Sequence, residues 1–191
     1  MAKKIRRSTE NPATHYTKWA AADDAAVASL CEIAARLGVP IVTPRRCPDS
    51  GERNWKNITG MYVAAGHVRM SKDWERTRRT SKDLGRTLRM LHVKPPVIIL
   101  RSQTAATLAH EVGHAVSMFD TMIDSRMDRR VSPLLRRLCE RHGIVYYGED
   151  DIVQLAEMRA RCLEHRLMGK TLPPTLRRFC ERAWQELERI A

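Results

Sequence analysis

The sequence predicts an α+β fold in which a small β-sheet precedes a mostly helical second half. Short β-prone runs, Val39 to Thr43, ITGMYVAAGHVRM at 58–70 and VIIL at 97–100, all lie before residue 104. From there on, apolar residues recur at helical spacing, and Gly143 and Gly169 punctuate the pattern. No internal repeat or low-complexity block interrupts it.

Taken in order, the opening MAKKIRRSTENP reads as a solvated basic tail over residues 1–15, and residues 16–191 as a single domain, since 191 residues suffice for one sizeable core. Trp19, Val27, Leu30, Ile33, Ala34 and Leu37 predict a helix over Tyr16 to Leu37, with Gly38 in position to end it. Val39 to Thr43 predicts a strand, and Pro44 to Asn57 a loop. The run from Ile58 to Met70 predicts a hairpin around Ala64-Ala65-Gly66. Leu84, Leu88 and Leu91 mark a helix in the second half of a charged stretch, Ser71 to Lys94. Val97 to Leu100 is an uninterrupted apolar strand, and TAATLAHEVGHAVSMF a helix after the polar break at 101–103. Three helices are expected beyond it, over Pro133 to Arg141, Glu149 to Met168 and Pro174 to Ile190.

Composition narrows the function classes. No run of about 18 apolar residues is present, and the basic opening lacks the apolar core of a signal peptide, so neither membrane insertion nor secretion is expected. Five cysteines, Cys31, Cys47, Cys139, Cys162 and Cys180, are odd in number and lack C-x-x-C spacing. They read as reduced core residues of a cytoplasmic protein. The net charge of +12 comes from 26 Arg and 8 Lys against 22 acidic residues. Guanidinium suits phosphate, so nucleic acid or an acidic protein is a candidate partner, although the basic clusters are dispersed along the chain as they would be on solvated helix faces.

The chemistry is carried by His110-Glu111-Val112-Gly113-His114, an H-E-x-x-H motif. Residues four apart on an α-helix lie one turn apart on the same face, so both imidazoles can point at one metal ion. Zn²⁺ is the expected metal, being suited to imidazole and carboxylate in tetrahedral geometry. Glu111, beside the first histidine, is placed to serve as general base toward water on that metal rather than as a ligand. Gly113 between the histidines costs about 1 kcal/mol of helix propensity relative to Ala, which makes sense where the backbone must approach something closely.

A catalytic zinc site takes three protein ligands and leaves a fourth position open. Glu157 in QLAEMRARCLEHR is the preferred third ligand, because its helix is long enough to lie against the motif helix and Ala160 would allow close approach. His142, Asp120, Asp124, Glu149, Asp150, Asp151 and Glu164 are rivals, the two aspartates requiring a sharp turn after the motif. Tyr146, Tyr147 and His142 are candidate donors to a developing oxyanion.

The segment LAHEVGHA, with the strand VIIL and the predicted hairpin before it, resembles the gluzincin-type zinc metallopeptidases, particularly the ImmA/IrrE-like group of intracellular regulatory proteases, over roughly residues 58–168. The resemblance implies a zincin-like helical half and hydrolysis of a protein or peptide substrate. It implies Zn²⁺ on His110, His114 and Glu157, Glu111 as base, and Ala160 as the small neighbour of the third ligand. The chain departs from that group in carrying an additional basic helix between His114 and Glu157 and no evident helix-turn-helix module. A second resemblance, to SprT-like proteases, rests on His142-Gly143-Ile144-Val145-Tyr146, and implies His142 as third ligand and DNA beside a protein substrate. The gap from His114 is longer than that family's, and His142-Gly143 reads equally as a helix terminus.

Overall fold

The computed structural model describes residues 24–43, 59–65, 85, 88–89, 91–100, 104–126, 130–144 and 151–190. Among them are six helices and three strands: α1 (Asp24–Arg36), β1 (Ile41–Val42), β2 (Gly60–Val63), β3 (Val97–Leu100), α2 (Ala105–Arg126), α3 (Pro133–Arg141), α4 (Asp151–Leu167), α5 (Pro174–Phe179) and α6 (Glu181–Ile190). The architecture is the expected α+β, with a small sheet ahead of a helical half. The basic tail at 1–15, the loop at 44–57, the second run of the expected hairpin and the break at 101–103 lie outside the described residues. No helix among those residues is long and apolar enough to cross a membrane.

The sheet has the order β1-β3-β2, with β1 parallel and β2 antiparallel to the central strand. Alternation along β3 divides the apolar residues between two faces. Ile98 and Leu100 join the main core with Ile41, Leu108, Val112, Met158 and Leu163. Val97 and Ile99 face the other way, onto Val63 and Leu88. All four residues of β3 are buried, which is why this strand reads as an unbroken apolar run instead of an alternating one.

Helix α2 leaves the sheet directly after β3 and buries Leu108, Ala109, Val112, Ala115 and Val116. It runs on to Arg126, past the expected end near Phe119, so Asp120 and Asp124 belong to the same helix and not to a turn. Helix α4 lies across it and buries Leu155, Met158, Ala160, Cys162 and Leu163. The crossing is close at one point: a Cβ built on Gly113 would lie 2.6 Å from the Ala160 carbonyl oxygen and 3.2 Å from its Cα. Two backbones meet there with no side chain between them.

Helix ends follow local chemistry. Ser132 caps α3 by accepting the Leu135 N–H at 3.1 Å, with Pro133 in the first turn. Gly143, at φ +65°, closes the same helix in a Schellman arrangement, with Ile144 N–H donating to Cys139 O and Gly143 N–H to Glu140 O. The last segment departs from expectation. Pro174 to Ile190 is two helices, broken at Cys180 (φ −106°, ψ 10°). The Arg159 side chain, buried with its guanidinium over the Phe179 ring, donates Nε–H to the Phe179 carbonyl at 3.4 Å beside the break. Leu176, Cys180, Ala183 and Leu187 stay buried across the break, so the apolar stripe continues where the helix does not.

The crossing generates a prediction whose sign separates two effects. Gly113→Ala gains about 1 kcal/mol of helix propensity but overpacks a backbone contact, which typically costs about 1–3 kcal/mol. Thermal unfolding of the variant is expected at a lower temperature than wild type; a raised midpoint would show that the helices do not touch there.

Candidate metal centre

His110 and His114 project from one face of α2, one turn apart, toward α4. Their rings pack edge to face with centroids 4.6 Å apart, and the two Nε2 atoms are 3.2 Å apart. Glu157, one turn before Ala160 on α4, reaches both: Oε1 lies 3.2 Å from His114 Nε2, and Oε2 lies 3.5 Å from His110 Nε2. Among the described residues, these three form the group of side chains able to hold a metal ion. All three are partly exposed, so the group opens to solvent on one side.

The donor spacing fits a cation. Bonds of about 2.0–2.1 Å in tetrahedral zinc place neighbouring ligand atoms about 3.3–3.4 Å apart; here the two Nε2 atoms are 3.2 Å apart, and each lies 3.2 or 3.5 Å from a different oxygen of Glu157. The electrostatics agree. Burial opposes charge on His110, yet the neighbouring carboxylates of Glu157 and Glu164 hold its pKa up, at about 9. Burial likewise opposes charge on Glu157, but hydrogen bonds from His110 and His114 hold its carboxyl well below the usual carboxylate range. The pocket therefore favours positive charge at its centre.

Glu111 stands apart from this trio. It is 4% exposed and is not one of the three donors. Burial raises its pKa above the ordinary carboxylate value, against the opposing influence of His114 and His110. The Tyr62 backbone N–H donates to its carboxylate from the edge strand β2. Space around it is tight, since a Cβ on Gly60 would lie 2.8 Å from Glu111 Oε1 and 2.9 Å from its Cγ. Gly60 thus lets β2 approach the carboxylate, a role that sequence reasoning did not assign because the two residues are far apart in the chain.

The other candidates are dispersed. His142 is exposed at the C-terminus of α3, where its backbone N–H caps the helix, and it is not in the group. Asp151 pairs with Arg136 at 2.9 Å. Glu164 lies behind His110, with Oε2 3.3 Å from Nδ1, and so stands behind the ligand and not among the donors. Tyr146, Tyr147, Glu149 and Asp150 lie outside the described residues, as do the side chains of Asp120 and Asp124.

An apolar strand leading into a helix with two histidines, crossed by a helix bearing a carboxylate, defines a candidate metal centre with three protein donors. In comparisons with known proteins, no family model, no curated protein and no solved structure matches the chain.

The signs of the shifts predict how the centre responds to pH. The folded pKa of His110, about 9, exceeds its ordinary 6.5, so its stabilisation of the metal-free chain is complete below about 6.5 and is lost as pH rises through about 9. Glu157, depressed, contributes above its ordinary 4.5 and loses that contribution on acidification. A metal must displace the His110 proton, so zinc affinity measured by chelator competition is expected to rise about tenfold per pH unit from 7 and level off near 9. A flat profile over that range would contradict the assignment.

Proposed function

We propose that this chain is a zinc-dependent metallopeptidase in which His110, His114 and Glu157 hold the metal and Glu111 is the general base. One observation carries the reading: a buried carboxylate with a raised pKa sits beside three metal-capable donors to which it does not belong. A structural zinc takes four protein ligands and needs no such neighbour. Nitrogen and oxygen donors without sulfur suit zinc among the common divalent metals.

Zinc in such a site acidifies water and polarises a carbonyl. The protein's own part is to place and move protons. Glu111 lies against the edge strand at Gly60 and accepts from the Tyr62 backbone. Burial raises its proton affinity toward that required of a base that takes a proton from water and returns it to a leaving amine. Glu157, kept ionised by the two histidines, does not compete for that proton.

A peptide substrate is supported by the strand beside the base. Among the described residues, β2 pairs on one side only, and Gly60 and Tyr62 lie against Glu111. An extended peptide laid along that edge would bring its own amide backbone to the carboxylate. A second reading, a nucleic-acid-binding or partner-binding protein on the same scaffold without turnover, is favoured by the net charge of +12.

Glu111→Gln separates the two. The metallopeptidase reading expects peptide cleavage to fall by about 10²–10⁴-fold, with zinc still bound in one equivalent. Cleavage at the wild-type rate in this variant would remove Glu111 from the mechanism.

A further inference from the structure

Helices α3 (Pro133–Arg141) and α5 (Pro174–Phe179) pack together, and between them they carry five arginines and one carboxylate, Glu140. Two of the five are paired from neighbouring helices: Arg136 with Asp151 at 2.9 Å, and Arg177 with Glu181 at 3.7 Å. The other three, Arg137, Arg141 and Arg178, are exposed. Arg137 and Arg141 stand one turn apart on the same side of α3. Arg137 donates Nε–H to the Pro133 carbonyl at 3.4 Å, and neither Arg141 nor Arg178 has a carboxylate partner among the described residues. No acidic residue occurs between Glu164 and Glu181 to offset Arg178 locally. This face lies behind α4, away from the metal centre. Arg159 follows Glu157 by two residues and so points about 160° around the helix from it, and its guanidinium sits 4.5 Å from the Phe179 ring centroid on α5. The side of α4 that holds α5 is therefore opposite the side that presents Glu157.

We propose that the face formed by α3 and α5 binds the phosphate backbone of a nucleic-acid duplex through Arg137, Arg141 and Arg178, leaving the metal centre on the far side of α4 unobstructed. Cations without acidic partners on two adjoining helices create a local positive field that draws in a polyanion. Guanidinium matches phosphate in two-point geometry, and a duplex presents such charges at about 1.7 Å intervals along its axis. A protein partner fits this face less well, because protein interfaces are built around an apolar, aromatic-rich centre. Leu134 is the one large apolar side chain exposed on the two helices. Single strands fit less well too, since they are held by stacking bases on aromatic side chains. Phe179, the one aromatic residue of the two helices, is half-buried against Arg159. The proposal is independent of metal binding. It differs from general attraction by a chain of net charge +12 in assigning the contact to three particular side chains.

Fluorescence anisotropy of a labelled DNA duplex of about 20 base pairs, titrated with the full chain between about 50 and 200 mM salt, tests this. Wild type is expected to bind with an affinity that falls as salt rises. Arg137→Gln, Arg141→Gln and Arg178→Gln together are expected to weaken binding about tenfold or more at about 100 mM salt, and to lower the slope of log affinity against log salt by about 2–3. The thermal unfolding midpoint of this triple variant is expected to stay at the wild-type value, since all three side chains are exposed. Arg36→Gln, Arg182→Gln and Arg189→Gln together remove the same charge from α1 and α6, and are expected to stay within about threefold of wild type. In wild type alone, bound duplex is expected to shield Arg137, Arg141 and Arg178 from phenylglyoxal, read by mass spectrometry. Absence of duplex binding at about 50 mM salt, equal losses in the two triple variants, or no shielding of the three arginines would overturn the proposal. So would polyglutamate or a single strand binding as tightly as the duplex, the first pointing to an acidic protein and the second to unpaired bases.

Discussion

The backbone contact between Gly113 and Ala160 is the constraint on which the rest of the centre depends. Two helices usually stand apart by the thickness of their side chains, but here the space available to a single methyl group at Gly113 is already occupied by the Ala160 carbonyl. His110 and His114 flank Gly113 on one helix, and Glu157 and Glu164 flank Ala160 on the other. Once the two small residues meet, the register between the helices is set. Glu157 then falls between the two Nε2 atoms, and Glu164 falls behind the first ring.

What is assembled there would be unfavourable as an ordinary core. Two imidazoles and two carboxylates in partly buried positions lose hydration, and their mutual attraction seldom returns more than that loss. The raised pKa of His110 and the depressed pKa of Glu157 express the same demand from opposite sides: the pocket needs positive charge between the donors. The apolar framework of Leu108, Val112, Met158 and Leu163 carries the stability of the crossing, so the polar cluster need not contribute to it.

Much of this arrangement is legible in the sequence because it rests on local spacing. His110 and His114 are one helical turn apart, Gly113 is an expensive residue inside a helix, and Ala160 is a small residue one turn from a glutamate. Each of these predicts a contact that the fold contains. The strand Val97–Leu100 and the helix bounds Pro133–Arg141 follow from an unbroken apolar run and from a closing glycine at 143, while the Ser132 cap shows only in the structure. The break at Cys180 is hidden because Leu176, Cys180, Ala183 and Leu187 keep helical spacing straight through it, and the Arg159 contact beside it comes from another helix. Gly60 and Tyr62 are equally hidden, since only the strand order brings them to Glu111. Glu164 is visible as a carboxylate near the site, but its place behind His110 depends on the crossing angle, which spacing along one helix does not encode.

X-ray absorption at the zinc edge on the metal-loaded chain tests the central claim most directly, because it reports which atoms surround the ion. The expected first shell is nitrogen and oxygen at about 2.0–2.1 Å, containing two imidazoles and no sulfur. A sulfur shell at about 2.3 Å would contradict it, moving the metal away from His110, His114 and Glu157 and toward the buried thiols of Cys139, Cys162 and Cys180.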